Sequence, residues 1–158
     1  GEVRIPRDSN TPAVCRRLIT DWSKHRGPIH YYGDPTGGNR GTAKTNGSDW
    51  TIIANEFRGK FPGGCSDRVG RRILPERDRV NALNARMRNA AGEVKLHIKR
   101  DTCTWLIRDL ENMLLKEGTA GDLWKERDLS LGHWADCLGY VTVTMHPLGS
   151  GGLFQGTL

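Results

Sequence analysis

The sequence predicts an α/β domain in which a mixed sheet carries helices on its faces. Short apolar or alternating runs that are typical of strands occur early in the chain, and one more follows an intervening helical stretch. Helical spacing of apolar residues occurs before, between and after these runs. With 158 residues the chain is long enough for one domain with a hydrophobic core, which we assign to residues 1–146.

The first half of the chain predicts one helix and up to three strands. After an extended lead-in, a helix begins at Thr11, which can cap it, and apolar residues recur at helical spacing as far as Trp22. Ile29–Gly33 follows as the first strand. Trp50–Phe57, apolar and partly β-branched, is interpreted as a second strand, antiparallel to the first if the loop between them is a wide hairpin. A third strand is placed near Arg71–Leu74.

The second half predicts three helices and the clearest strand signal. Residues 93–99 alternate strictly between apolar and polar side chains, as a half-buried strand does. Apolar spacing together with capping and stop residues defines the helices. Their predicted ranges are 75–90, 102–117 and 130–144, and residues 147–158 are interpreted as a flexible Gly-rich tail.

Charge and composition favour a nucleic acid as partner and argue against several other classes. The net charge is +6, which favours an anionic partner. No apolar run approaches the roughly 18 residues of a membrane helix, so we expect no membrane partner. The four cysteines form no C-x-x-C pair, which argues against a zinc site and fits reduced thiols in a cytosol. The chain contains no G-x-x-x-x-G-K-[ST] phosphate loop.

Three aspartates occupy comparable places in this predicted fold. Asp34 ends the first strand, Asp101 follows the alternating strand, and Asp136 lies within the last helix. If those two strands are neighbours, Asp34 and Asp101 lie side by side and the helix can present Asp136 above them. Carboxylate oxygens are the hard ligands that Mg²⁺ and Mn²⁺ prefer, and two such ions about 3.5–4 Å apart can support phosphodiester hydrolysis.

Each of these residues also has a structural interpretation. Asp34 precedes Pro35, and an Asp-Pro-x-Gly sequence is ordinary turn chemistry. Asp101 can stabilise the dipole of the helix that follows it. His133, on the same helical face as Asp136, is a candidate hydrogen-bond donor beside the metal or, equally, a capping or packing residue.

One further group of charged residues is interpreted as structural and without a role in the site. Asp78 lies between Arg77 and Arg79 in the predicted helix 75–90. We interpret it, together with these two arginines, as part of a solvated helix surface.

Four runs resemble one protein family. YGDPTGGNRGT at 32–42 with SDWTII at 48–53 looks like the first two strands of the nuclease domain of tailed-bacteriophage large terminase subunits. LIRDLE at 106–111 and HWADCLGY at 133–140 resemble later parts of that domain, the last often written H-x-x-D-A-L-G-Y in the family. The resemblance implies an RNase H-like fold and an endonuclease that cuts concatemeric viral DNA during genome packaging, using two divalent cations, Mg²⁺ or Mn²⁺.

The resemblance also implies which acids act. Asp34 matches the aspartate of the first strand and Asp136 the aspartate of the last helix. Asp101 is taken as the middle acid, but two basic residues precede it, so Asp109 and Glu111 remain alternatives.

Double-stranded DNA is the partner that follows. Candidate contacts to its phosphates, in the loop after Asp34 and in the basic segment 58–72, are Arg40, Lys44, Arg68, Arg71 and Arg72. In a full-length terminase the further partners would be an ATPase domain, the small terminase subunit and the portal, in the cytoplasm of the host cell. Two alternatives remain open: another RNase H-like nuclease such as a junction resolvase, and a non-catalytic DNA-binding packaging domain.

Overall fold

The structure of the protein is a computed structural model that describes residues 2–3, 10–39, 47–114 and 130–147. Within these ranges the chain forms helices and two short strands, which supports the expected α/β class. The elements are α1 (Thr11–Asp21), β1 (Ile29–Tyr31), α2 (Asp49–Phe57), β2 (Cys65–Asp67), α3 (Glu76–Met87), α4 (Thr104–Asn112) and α5 (His133–Met145), with 3₁₀ turns at Pro35–Gly38 and Arg100–Thr102.

The chain divides into two compact units. The first comprises Gly1–Ile73 and Lys99–Trp105, and the second comprises Leu74–Ile98 and Leu106–Leu158. None of the helices that the structure describes is long and apolar enough to cross a membrane.

In the first unit, β1 and β2 pair in parallel, with Ile29 opposite Cys65 and Tyr31 opposite Asp67. The intervening α2 makes the segment a strand–helix–strand crossover, the connection that parallel pairing requires. The core beside it contains Cys15, Phe57 and Phe61. The two phenylalanine rings meet edge to face with centroids 5.3 Å apart, an arrangement that aromatic pairs prefer.

In the second unit, α3 and α5 pack on each other and α4 supports the start of α5. A side chain added at Gly139 of α5 would place its Cβ 3.2 Å from the Cβ of Arg79 on α3. The close approach of the two helices therefore depends on the missing side chain at Gly139. Segment 93–98 has no regular secondary structure, and the amide of Lys95 donates to the carbonyl of Arg86.

The four predicted helices are confirmed, with shifted ends. The first begins at Thr11 as expected, but its cap is Asn10, whose side chain accepts from the Ala13 amide. Thr102 was expected to cap the third predicted helix and instead lies in a 3₁₀ turn, and the helix itself is α4. The parts of this predicted helix beyond 114, and the tail beyond 147, lie outside the described residues.

The predicted second strand is wrong, because Asp49–Phe57 is the helix α2. Ser48 caps it through its hydroxyl, which accepts from the Thr51 amide, and Asp49 places a negative charge in the first turn. A short apolar β-branched run fits either a strand or a buried helix, and here the cap decides. The antiparallel pairing expected for this run is wrong for the same reason.

Two other strand predictions are also wrong. Residues 93–99 alternate in polarity but form no strand within the described ranges, and 49% of Val94 is exposed. Within the part of the chain that the structure describes, no strand pairs with this segment. The second strand of the sheet is Cys65–Asp67 and not the neighbourhood of Arg71–Leu74, because the backbone of 65–67 lies against β1. The amide of Arg68 extends the pairing by donating to the carbonyl of Tyr31.

The core position of Cys15 leads to a test of the first unit. Only 2% of Cys15 is exposed. Burial raises the pKa of its thiol, the Glu56 carboxylate adds to the rise, and the Arg16 guanidinium opposes it. Because the thiolate is the reactive form, we expect iodoacetamide at pH 8 to modify Cys15 far more slowly than the partly exposed Cys103 in native protein.

In urea the two thiols should react at similar rates, as peptide mass spectrometry would measure. Equal rates in the native protein would contradict this packing of α1.

Candidate functional site

Asp34 lies three residues after β1, in a loop that is built around the indole of Trp50. The indole Nε1 donates to the carbonyl of Asp34 at 2.9 Å, and the ring stacks on Tyr31 with centroids 6.1 Å apart. The Asp34 side chain accepts from the Thr36 amide at 2.8 Å and so caps the 3₁₀ turn Pro35–Gly38. The carboxylate therefore lies just beyond the end of a strand, as predicted, and also performs the turn role.

The glycines of this loop are explained by Trp50. A Cβ at Gly33 would lie 2.3 Å from Cη2 of the indole, and one at Gly37 would lie 2.9 Å from Nε1. The backbone passes so close to the ring that neither position admits a side chain without displacement. The Gly-rich sequence thus fits the loop onto the tryptophan and fixes the backbone that carries Asp34.

Asp67 and Tyr31 mark the same end of the sheet. Because the strands are parallel and these residues are opposite one another, the chain leaves β1 and β2 in the same direction. Burial raises the pKa of the Tyr31 phenol, and the nearby Asp67 carboxylate and Cys65 add to the rise. Asp67 was not predicted as a site residue. It also accepts from the Val69 amide at 2.7 Å, a bond that shapes the chain after the strand.

Asp101 lies in the 3₁₀ turn Arg100–Thr102 and is exposed. Like Asp34 it belongs to the first unit. No side-chain hydrogen bond or ion pair joins Asp101 to another described residue. A structural role for its carboxylate therefore has less support than for Asp34, Asp109 or Asp136.

Asp136 lies on α5 and forms an ion pair with Arg79 of α3. Nη2 of Arg79 donates to Oδ1 of Asp136 at 3.1 Å, and its Nη1 donates to the Leu74 carbonyl at 2.7 Å. The guanidinium carbon lies 4.6 Å from the centre of the Tyr140 ring, in the geometry of a cation–π contact. Asp136 is thus partly buried and paired, as a carboxylate in an apolar helix must be.

Arg79 was interpreted as part of a solvated helix surface, and this interpretation is wrong because only 8% of it is exposed. The sequence contains a signal that could have found it. Arg79 precedes the buried Leu83 by four residues and therefore lies on the apolar face of α3.

Asp109, the alternative middle acid, is the most deeply buried of the candidate acids at 1% exposure. Its Oδ2 accepts from the amides of Trp134 at 2.9 Å and Ala135 at 3.4 Å. These are N–H groups of the first turn of α5, whose own cap position is Gly132 and offers no side chain. Asp109 thus supplies the cap from another helix. Glu111, the other alternative, is exposed on α4.

The predicted DNA-contacting residues fall into two groups. Arg68, Arg71 and Arg72 are exposed in the segment that follows β2, where phosphates could reach them. Arg40 and Lys44 lie outside the described residues. His133 is exposed at the first position of α5, one helical turn before Asp136.

The three predicted metal ligands are shared between the two units: Asp34 and Asp101 belong to the first and Asp136 to the second. Among the described residues, no group of three or more His, Cys, Asp and Glu side chains is arranged to hold a metal ion. The donors themselves are carboxylate oxygens, which chemically suit Mg²⁺ or Mn²⁺.

A cleft of about 340 Å³ in the first unit is a different kind of site. Its lining includes Tyr31, Phe57 and Phe61. Arg58 also lines it, and none of the predicted acids does. The cleft is therefore apolar and unsuited to a hard cation.

Comparison of the chain with models of protein families, with curated proteins and with solved structures finds no match.

The loop around Trp50 leads to a matched pair of variants. We expect Gly33→Ala to lower the free energy of unfolding by about 1–3 kcal/mol, because the added methyl overlaps the indole and must displace it. Gly38→Ala, in the same loop, places its Cβ 3.7 Å from Trp50 in ordinary contact and should change stability by less than about 0.5 kcal/mol. Urea unfolding followed by tryptophan fluorescence measures both, and equal losses would contradict the loop geometry.

The cap that Asp109 provides can be tested with a second set of variants. Asp109→Ala leaves two buried N–H groups of α5 without their acceptor, and we expect it to cost about 1–3 kcal/mol in the free energy of unfolding. Asp109→Asn keeps an acceptor oxygen and should cost less. Glu111→Gln, exposed on the same helix, should remain within about 0.5 kcal/mol of the wild type. Circular dichroism during urea unfolding measures the free energy of unfolding of each variant. Equal values for Asp109→Ala and Glu111→Gln would contradict the role of Asp109 as a cap.

Proposed function

We propose that the chain is a metal-dependent endonuclease that hydrolyses DNA phosphodiester bonds with little sequence preference. Within that class we propose an RNase H-like nuclease domain of the tailed-bacteriophage large terminase type. The observation that carries the proposal is the way in which the loop around Trp50 fixes the position of Asp34. This carboxylate lies just past a strand end in a loop that Trp50 holds in place, within the run that most resembles the family.

Asp34, Asp101 and Asp136 are the residues that we propose to hold two divalent cations. The carboxyl end of parallel strands is where α/β folds commonly bind ligands, and Asp34 lies at that end of β1. Asp101 is exposed in a turn, and Asp136 is partly exposed at the surface of α5. Bound cations would supply Lewis-acid chemistry by activating the attacking water and stabilising the leaving oxygen.

The basic residues supply affinity for DNA in this proposal. Arg68, Arg71 and Arg72 are exposed, and the net charge of +6 attracts a polyanion. Contacts to phosphates position a duplex without reading its bases, which accounts for the expected lack of sequence preference. In a full-length protein the partners would include an ATPase domain, the small terminase subunit and the portal, in the host-cell cytoplasm.

A second candidate is a non-catalytic DNA-binding domain of the packaging machinery. The observation that favours it is that Asp34 and Asp136 each have a structural role, the first as the cap of a 3₁₀ turn and the second as the partner of Arg79. The basic segment would serve DNA binding equally well without any metal chemistry.

Nicking of supercoiled plasmid in Mn²⁺ or Mg²⁺ tests the proposal. We expect the wild type to nick and Asp34→Asn, Asp101→Asn and Asp136→Asn each to lose about 100-fold or more, since a catalytic metal contributes several kcal/mol. Asparagine is preferred to alanine because it leaves Asp34 and Asp136 an oxygen for the Thr36 amide and Arg79.

The control is Asp21→Asn, which removes an exposed carboxylate that pairs with Arg17 on α1 and should leave nicking unchanged. Wild-type protein that binds plasmid but fails to nick it with either metal would favour the second candidate. Nicking that survives in Asp34→Asn would refute the assignment of this residue.

A further inference from the structure

The amino end of the parallel sheet in the first unit is surrounded by basic side chains. Residues 22–28 lead into β1 and residues 58–64 lead into β2, and we call the surface that they form the amino-end surface. Neither segment contains Asp or Glu. Every Lys and Arg in them is exposed, and none pairs with an acid among the described residues: Lys24, Arg26, Arg58 and Lys60.

The two segments are in backbone contact. A Cβ at Gly63 would overlap the carbonyl of Gly27 and would lie 2.5 Å from the carbonyl oxygen of Arg26. The Ile29 amide donates to the carbonyl of Gly64 at 3.0 Å. The missing side chain at Gly63 therefore allows the segments to meet, and their cations belong to one surface. Cations gathered in this way attract an anionic partner.

The indole of Trp22 is exposed on the same surface. Trp22 ends α1, where its amide donates to the Leu18 carbonyl at 3.0 Å, and 49% of the residue is exposed. Its ring makes a T-shaped contact with His25 at 5.5 Å between centroids. Exposed aromatic rings beside cations are the combination that binds unpaired nucleic-acid strands, because bases stack on the rings while the cations bind the phosphates.

The apolar cleft of the first unit opens at this surface. Arg58, Gly59 and Gly64 line it together with the rings of Tyr31 and Phe57. A Cβ added at either glycine would meet no atom within 4 Å, so the cleft is open on that side. Its volume of about 340 Å³ is at the small end of the range for ligand sites, which suits one planar base rather than a peptide helix.

We propose that the amino-end surface binds an unpaired DNA strand, with phosphates on its lysines and arginines and bases against Trp22 and in the cleft. A duplex hides the faces of its bases, so it could use the cations but neither the indole nor the cleft. None of these residues is one of the proposed metal ligands or duplex contacts, and Asp34 and Arg68 follow the strands at the opposite end of the sheet. The choice of DNA rests on the proposed function, whereas the binding needs no metal.

The main alternative is a basic surface that attracts duplex DNA by charge alone. The cations would then contribute to affinity, and Trp22 and the cleft would not. The salt dependence of binding separates the two kinds of contact. Each phosphate contact releases counterions and makes binding more sensitive to salt, whereas stacking of a base on a ring does not.

The experiment measures fluorescence anisotropy of a labelled oligothymidylate of about 12 nucleotides with the full chain, in EDTA and over a series of salt concentrations. Contacts from all the cations predict a slope of log association constant against log salt of about −3. Arg26→Gln and Lys60→Gln should each weaken binding and make the slope shallower by about 0.7.

Two variants without a change of charge test the places for bases. Trp22→Leu should weaken binding about 10-fold with the slope unchanged, and it should leave affinity for a duplex of the same length unchanged. Trp22→Phe keeps an aromatic ring and should bind more tightly than Trp22→Leu. Ala54→Phe fills the cleft from the exposed side of α2 and should weaken binding with the slope unchanged.

The control for net charge is Arg77→Gln, which removes an exposed arginine from α3 in the second unit. Its affinity and slope should match those of the wild type. Circular dichroism confirms that each variant is folded at the temperature of the measurement.

The inference is overturned if Trp22→Leu binds the oligonucleotide as tightly as the wild type, if it weakens duplex binding equally, or if Arg77→Gln matches Arg26→Gln. Unchanged affinity in Ala54→Phe overturns the placement of a base in the cleft. Tighter binding of an oligouridylate of the same length overturns the choice of DNA.

The inference and the proposed function can fail separately. A wild type that nicks plasmid but does not bind the oligonucleotide overturns the inference alone. A wild type that binds it with the expected pattern of variants but nicks no DNA supports the inference and refutes the nuclease.

Discussion

The ion pair between Arg79 and Asp136 is the interaction on which the second unit depends. The charge of Arg79, a residue that is only 8% exposed, must have partners, because burying an isolated charge costs more free energy than a folded domain can spare. Asp136, the Leu74 carbonyl and the Tyr140 ring meet that requirement only while α3 and α5 are in contact. The pair therefore couples the packing of two helices to the position of one carboxylate.

Helix α5 has a second support at its first turn. Asp109 on α4 accepts from the amides of Trp134 and Ala135, where the helix's own cap residue is a glycine. One acid of the family-like run LIRDLE thus performs a structural task. Asp109 beside α5 and Asp136 on it differ in their partners: the first accepts from backbone N–H groups, and the second pairs with the buried Arg79 while remaining partly exposed itself. Burial separates the structural acid from the candidate ligand.

In the first unit the indole of Trp50 fixes the position of Asp34, as Arg79 fixes that of Asp136 in the second unit. The loop Gly33–Gly38 fits against the ring, and the Asp34 backbone is bonded to it. A carboxylate on so constrained a loop needs little reorganisation to bind a ligand, which is the physical basis for considering Asp34 a site residue. The same constraint gives Asp34 its role in the turn, so geometry at this residue is compatible with both functions that we propose.

Local signals in the sequence predicted the helices and failed for most strands. Apolar spacing, caps and glycine stops act over a few residues, so α1, α3, α4 and α5 could be identified without their tertiary partners. For Asp49–Phe57 the apolar β-branched run outweighed the cap at Ser48, although that cap was itself a local signal. For 93–99 the alternation of polarity was correct as a pattern, but a pattern cannot supply the neighbouring strand that a sheet needs.

Four helices, α1, α3, α4 and α5, and the strand that precedes Asp34 could be read from the sequence without the structure. Four features became visible only in the folded chain: Asp49–Phe57 is a helix, β2 is Cys65–Asp67 and parallel to β1, Asp109 caps a helix 25 residues away, and Arg79 is buried against Asp136, 57 residues away. The last three depend on contacts between distant parts of the chain, whose free energy comes from burial and pairing and leaves no short-range pattern in the sequence.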